Sequence, residues 1–202
     1  MYIIGITGGT ASGKTTFVTK LLAQCDPHRI TMISQDDYYK PLTGLSLQEK
    51  NNINFDHPNS IDFDLLEKHI LSLKKGELIN KPNYSFETHD RLEKVTTISP
   101  KPILILEGIL VLSVPKIKAL CNYTIFVDAS EKTRQERRLK RDIAERGRDK
   151  ETILEQFKTN IHPMHRKFIE PLKNEVNLVI DGTKNFNEPI NSLVNLIETK
   201  IE

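Results

Sequence analysis

Cysteine is scarce in this 202-residue chain: Cys25 and Cys121 are the only two, and no CxxC spacing relates them. Thiols so few and so far apart exclude a disulfide framework and a cysteine-based zinc site, and they fit a reducing compartment. Long apolar runs are lacking too. The longest, Ile103 to Leu112, is interrupted by Glu107 and is too short to span a bilayer. No basic, cleavable leader precedes Tyr2-Ile3-Ile4, so a cytoplasmic protein with no membrane attachment is expected. The 9 glycines and 10 prolines form no repeat, which excludes collagen-like and linker-like chains. Nor does one charge dominate. A formal net charge of +2 is too small to indicate a nucleic-acid partner.

What is present describes a folded domain. Hydrophobic residues make up 38% and charged residues 28%, a balance that argues against disorder. The length suits a single domain, residues 1–202, able to bury roughly 70% of its unfolded surface. Positive charge is unevenly placed: Glu131 to Lys150 holds nine basic residues against five acidic ones.

Short β-branched runs predict buried strands at Tyr2–Thr7, Ile30–Ser34, Ile103–Leu106, Tyr123–Val127 and Val176–Ile180, with the third expected to be central. Helical spacing separates most of them: Phe17, Val18, Leu21, Leu22; Leu65, Leu66, Ile70, Leu73; Ile153, Phe157, Ile161. A closing helix carries Ile190, Val194 and Ile197. Alternation of this kind implies an α/β fold, a parallel sheet flanked by helices. Two stretches fall outside the pattern. Asp36 to Ser60 is polar, irregular and longer than a structural connection needs. Residues of about 82–99, with Tyr84, Phe86, Val95 and Ile98, read as a small β-hairpin insertion.

The segment Gly8-Gly9-Thr10-Ala11-Ser12-Gly13-Lys14-Thr15 matches GxxxxGK[ST] in full, between a predicted strand and a predicted helix. Glycines let successive N–H groups face inward around phosphate oxygens, and the helix start adds the positive end of its dipole. Lys14 would reach the β- and γ-phosphates, and the Thr15 hydroxyl would ligate Mg²⁺. The sheet is therefore expected to be of the P-loop NTPase type.

A phosphate loop alone fits kinases, switches and motors alike. The Asn-Lys-x-Asp tetrapeptide that reads guanine in GTPase switches is absent, and the length leaves little room for a motor's extra domains. A small-molecule kinase needs a carboxylate beside the acceptor hydroxyl, a second pocket, and cations over the phosphates. Asp36 and Asp37 follow the second strand, at the end where ligands lie in open α/β sheets, although a pair of aspartates also suits turn capping. Glu107 ends the third strand, where a carboxylate would support the Mg²⁺ shell. Arg134, Arg138 and Arg141 share a helix face, with Arg137 beside them. Arg146-Gly147-Arg148 follows, and Gly147 is placed to end the helix. So many arginines favour a phosphate-covering lid of about 134–150 over a merely solvated helix. His162 and His165 lack the third and fourth ligands of a metal site.

Taken together, these residues resemble the uridine kinase (uridine–cytidine kinase) family. The resemblance is carried by Gly8 to Thr16, Gln35-Asp36, Asn54-Phe55-Asp56-His57-Pro58, Tyr84 with Phe86, His89 with Arg91, Leu106 to Leu110, and Arg141 to Arg148. It implies phosphorylation of the 5′-hydroxyl of uridine and cytidine by ATP or GTP with Mg²⁺, giving UMP and CMP in pyrimidine salvage. By motif position, Asp36 and Lys14 would be catalytic and Gly8, Gly9, Thr10, Ala11, Ser12, Gly13, Lys14, Thr15 and Thr16 would hold the donor. Thr15 and Glu107 would serve the metal. Asp56 would contact the ribose, Tyr84, Phe86 and His89 would line the base pocket, and Arg138, Arg141, Arg146, Arg148 and Gln156 would complete the substrate side. The resemblance also implies a homotetramer. The chain departs from the family's usual pattern at Asp37, where serine is frequent, and at Ser85, where aspartate is frequent. Two alternatives stay open: a kinase for another small alcohol such as pantothenate or a sugar phosphate, and a nucleotide-gated binding protein with no acceptor.

Overall fold

The computed structural model describes residues 1–51 and 53–201, with the side chains of Leu47, Asn51 and Arg146 outside that description. Among the described residues, five strands form one parallel sheet. These are β1 (Tyr2–Thr7), β2 (Ile30–Ser34), β7 (Ile103–Glu107), β8 (Tyr123–Asp128) and β9 (Leu178–Asp181), in the order β2-β7-β1-β8-β9. Two short antiparallel ladders stand apart, β3 (Ile79–Lys81) with β6 (Thr96–Ile98), and β4 (Tyr84–Ser85) with β5 (Asp90–Arg91). The helices are α1 (Lys14–Leu22), α2 (Leu47–Asn51), α3 (Phe63–Lys74), α4 (Pro115–Lys118), α5 (Glu131–Arg146), α6 (Lys150–Gln156), α7 (His162–Met164) and α8 (Asn187–Ile201).

The middle of the sheet is buried on both faces because β1, β7 and β8 carry apolar residues at consecutive positions, not only at alternate ones. All five residues of β7 are buried. Ile103 and Ile105 join Phe17, Leu21, Ile190 and Ile197 in the core beneath α1 and α8. Leu104 and Leu106 point the other way, into the core shared with Leu66, Ile70 and Ile117 of α3 and α4. Period-two alternation thus feeds two cores from one strand.

The middle position belongs to β1, not to β7 as its hydrophobicity suggested; β7 lies between β2 and β1. The last strand also begins two residues later than its apolar run. Asn177 breaks from strand geometry to accept bonds from the Thr124 amide and hydroxyl, each at 2.8 Å. The predicted hairpin proves to be two nested ladders, widened by Ile79–Lys81, whose Ile79 and Lys81 are buried.

The helical run that begins at Lys150 continues to Asn174 through π-type turns at Phe157–Ile161 and His165–Ile169. Ile153, Phe157, Ile161 and Ile169 are all buried and recur at multiples of four. Strict spacing of four drifts off one face of a 3.6-residue winding, and the wider turns bring it back.

This packing makes a contrast testable. Leu104→Ala, at a site with no solvent exposure, is expected to cost about 2–5 kcal/mol. Val179→Ala, on the edge strand and 43% exposed, is expected to cost less than about 1 kcal/mol. Urea denaturation midpoints compare the two.

Candidate functional site

The C-terminal ends of β1, β2, β7 and β9 open into one cleft of about 820 Å³. At one end lies the phosphate loop. Gly8 has φ 147° and Gly13 φ 106°, and a Cβ on Gly8 would stand 2.2 Å from the Val127 carbonyl oxygen. Ala11 adopts a left-handed φ of 57°. The N-terminus of α1 carries no side-chain cap and no acidic residue in its first turn, which leaves its amides and dipole to an anion. The Ser12 hydroxyl is buried with no hydrogen-bond partner among the described residues.

Lys14, 6% exposed, donates to the Gly9 carbonyl at 3.1 Å. Burial lowers its pKa, against the opposing pull of Glu107 and Asp36. Burial likewise raises that of Glu107, Lys14 pulling down and Asp36 pushing up. A buried ammonium and two carboxylates therefore sense one another at the mouth of the loop. Thr15, Glu107 and Asp36 all line the cleft. Among the described residues no three His, Cys, Asp or Glu side chains gather into a metal cage. One hydroxyl and one or two carboxylates are what Mg²⁺ takes when phosphates and waters fill its remaining positions.

The two adjacent aspartates diverge. The turn Gln35–Tyr38 is capped by Ser34, whose hydroxyl accepts from the Asp36 amide at 3.3 Å. Asp36 faces the cleft. Asp37 turns away to Lys81, 2.5 Å from its ammonium. Beneath them Gln35 is fully buried and accepts from the Leu110 amide at 2.7 Å; a Cβ on Gly108 would collide with it at 2.3 Å.

The opposite end is aromatic. Tyr39 and Tyr84 stand 4.9 Å apart, Tyr84 and Phe86 5.4 Å, and Phe55 stacks on His89 at 4.9 Å with 19° between the planes. His89 holds a left-handed φ of 51° while 7% exposed, so neighbouring packing maintains a conformation that few such residues adopt. Asp56 lies on the cleft wall beside this box. Burial drives the Tyr39 and Tyr84 hydroxyls above their ordinary range, so both stay neutral donors.

Between the two ends runs α5. Arg138, 9% exposed, donates to the Thr10 hydroxyl at 2.9 Å and feels the charge of Asp56, which joins the phosphate loop to the aromatic end. Among the described residues, the fully buried Asp142 gathers the guanidinium groups of Arg138 at 3.4 Å, Arg141 at 2.8 Å and Arg148 at 3.7 Å. Gly147, at φ 60°, ends the helix as expected. Arg148 also reaches Gln156 at 3.4 Å.

Of the predicted residues, Thr10, Ala11, Gly13, Lys14, Thr15 and Thr16 line the cleft, as do Asp36, Asp56, Tyr84, Phe86 and His89. So do Glu107, Arg138, Arg141, Arg148 and Gln156. Gly8, Gly9 and Ser12 shape the loop from behind, and the Arg146 side chain lies outside the described residues. Arg134 corrects the expected arginine face. It is 3% exposed, bonds the Ala129 carbonyl at 3.2 Å and packs where a Gly9 Cβ would sit, beneath the loop and off the cleft wall. Arg137 instead faces the cleft and donates to the carbonyls of Ser12 (3.3 Å) and Gly182 (3.0 Å).

Residues not anticipated also contribute. Tyr39 and Phe55 belong to the aromatic end, and Gly182 to Lys184 with Phe186 edge the phosphate end. Gly182 offered a signal: it follows a predicted strand, and a Cβ there would stand 2.0 Å from the Ser12 carbonyl oxygen.

Comparison with known proteins places this architecture. Residues 3–187 match the model of the phosphoribulokinase / uridine kinase family. The chain belongs to that family. A uridine kinase of Clostridium perfringens is 44% identical over 177 residues, spanning 88% of this chain and 85% of the relative. One from Vibrio vulnificus is 42% identical over 188 residues, spanning 91% and 88%. Among solved structures, a candidate fructose transport system kinase from Silicibacter sp. TM1040 superposes with a TM-score of 0.72 at 18% identity, covering 88% of each chain. A possible uridine kinase from Bacillus stearothermophilus gives 0.60 at 17%, covering 89% and 88%; at such identities the likeness is one of fold. Membership of the family makes the chain a kinase. No helix among the described residues is long and apolar enough to cross a membrane.

The buried Glu107 yields a signed prediction. Because its folded pKa is raised, it adds stability below the ordinary carboxylate range, and that contribution is lost as pH climbs through the raised value. Subtracting the stability-versus-pH curve of Glu107→Gln from that of the nucleotide-free wild type should leave a difference that falls with rising pH across that window. A flat or rising difference would mean that the carboxylate is not desolvated.

Proposed function

We propose that the chain transfers the terminal phosphoryl group of ATP or GTP to the 5′-hydroxyl of uridine and cytidine, giving UMP and CMP. One observation carries this reading: the carboxylate of Asp36 lines a single cleft whose one end is a phosphate cradle and whose other end is an aromatic box beside Asp56. The uridine kinases of Clostridium perfringens and Vibrio vulnificus, similar over most of their length, support the choice of acceptor.

Phosphoryl transfer passes through a loose transition state, so the protein's task is alignment and charge neutralisation. The phosphate loop and Lys14 would hold the triphosphate. Thr15 and Glu107 would hold Mg²⁺, which when bound neutralises charge on the phosphate oxygens. Arg138, Arg141 and Arg148, aligned by Asp142, would cover the transferring group as a lid. Asp36 would accept the proton of the attacking hydroxyl and orient its oxygen. Asp56 would take the ribose hydroxyls, while Tyr84, Phe86 and His89 would present faces and polar edges to a pyrimidine. On the same reading the enzyme acts in pyrimidine salvage as a cytoplasmic homotetramer.

Turnover coupled to nucleoside diphosphate release, measured across uridine, cytidine, pantothenate and D-glycerate, should be confined to the two nucleosides. Inertness toward both would overturn the proposal, and activity on pantothenate or glycerate would replace the acceptor. Asp36→Asn is expected to lower kcat about 10²-fold or more with donor affinity retained. Asp142→Asn is expected to lower kcat/KM by about 10-fold or more, because Arg138, Arg141 and Arg148 lose their common anchor.

A further inference from the structure

Asp36 does not stand alone at the end of β2. Its neighbour Asp37 carries a second carboxylate one residue away, off the cleft wall but beside a site that would also accept a triphosphate. An uncompensated anion there would repel the donor and add to the negative charge already supplied by Asp36 and Glu107. The fold answers this from a different element. Lys81, the last residue of β3, is 9% exposed and holds Asp37 at 2.5 Å. Its ammonium also donates to the Pro82 carbonyl at 3.2 Å and to the Asn83 side chain at 3.4 Å. Asn83 is itself fastened, donating to the Lys94 carbonyl at 2.9 Å and accepting from the Thr96 hydroxyl at 3.0 Å.

The pair sits at a junction. On one side is the turn Gln35–Tyr38; on the other are the strands that carry Tyr84 and, beyond them, Phe86 and His89. That junction has other fasteners. Arg91 donates to the Tyr39 carbonyl at 2.8 Å and to Asp62 at 3.1 Å, and Lys50 bonds Asp90 at 2.8 Å. With those in place, a bond from Lys81 is not required to hold the strands against the turn. Cancelling the charge of Asp37 is something none of the others does.

We propose that Lys81 is a positioning residue acting through charge. It neutralises Asp37, so that the donor meets the carboxylates of Asp36 and Glu107 without the added charge of Asp37. The inference rests on the kinase reading above, but its test does not depend on the identity of the acceptor. A tether and a charge shield predict different patterns. If the bond matters as a tether, removing either partner is harmful and removing both is no better. If the charge matters, removing only the lysine is harmful, because only then is a half-buried carboxylate left uncompensated.

Mg-ATP affinity by calorimetry and kcat/KM for uridine by coupled assay should be measured on the full chain and four variants. Lys81→Met is expected to weaken Mg-ATP binding about 3- to 5-fold and to lower kcat/KM about 10-fold. Asp37→Asn should stay within about 2-fold of wild type on both. The double variant Lys81→Met/Asp37→Asn should return to within about 3-fold, as should Lys81→Arg, which keeps the charge. An Asp37→Asn variant as impaired as Lys81→Met, or a double variant no better than Lys81→Met, would overturn the proposal, as would a Lys81→Met variant equal to wild type. If Lys81→Met fails to fold, the double variant and Asp37→Asn decide: the proposal requires both to bind Mg-ATP nearly as wild type does. Wild-type inertness toward uridine alongside the expected affinity pattern would remove the substrate assignment and leave the charge shield standing.

Discussion

A buried ammonium sharing the mouth of the phosphate loop with two carboxylates is the electrostatic constraint around which this molecule is arranged. Lys14 is withdrawn from water, tied to the Gly9 carbonyl, and balanced by Glu107 and Asp36 on the far wall. Burial disfavours the charged forms of Lys14 and Glu107. On the proposed reading, a triphosphate with a divalent cation would relieve that opposition, the carboxylates holding the cation and the lysine and the uncapped start of α1 holding the phosphates. The parallel sheet matters here mainly as a rigid mount. Three neighbouring strands, β1, β7 and β2, deliver the loop, Glu107 and Asp36 to the same edge.

The second constraint is arginine management. Guanidinium groups so close together repel unless anchored, and the anchors differ along α5. Arg134 goes under the loop to the Ala129 carbonyl, and Arg137 ties the loop to Gly182. Arg138, Arg141 and Arg148 converge on the buried Asp142. The helix is therefore divided. Its first half belongs to the scaffold that shapes the phosphate loop, and its second half presents a cationic wall to the cleft. Arg138 spans both through the Thr10 hydroxyl and the charge of Asp56.

The parts of this picture that rest on local pattern were legible in the sequence. The phosphate loop, the five core strands, Gly147 as a helix end and Glu107 at a strand terminus all follow from short-range spacing, and the structure places them accordingly. The parts that depend on long-range partners were not. Nothing local separates Asp36 from Asp37; only Lys81, 44 residues on, turns one of them away. Helical spacing alone does not reveal that the carboxylate of Asp142 is enclosed by arginines. Tyr39 and Phe55 lie in an irregular stretch without periodicity, and the stacking of Phe55 on His89 is a tertiary fact. The hydrophobicity of β7 suggested the middle of the sheet, but burial on both faces is shared by every interior strand of a parallel sheet.

The central claim is geometric and has a direct measurement. A crystal structure of the protein with cytidine, Mg²⁺ and a non-hydrolysable ATP analogue would locate the acceptor oxygen. The account predicts the 5′-oxygen within about 2.6–3.2 Å of the Asp36 carboxylate and in line with the terminal phosphorus, with the pyrimidine among Tyr84, Phe86 and His89. A nucleoside bound outside the aromatic end, or a 5′-oxygen turned away from Asp36, would contradict it.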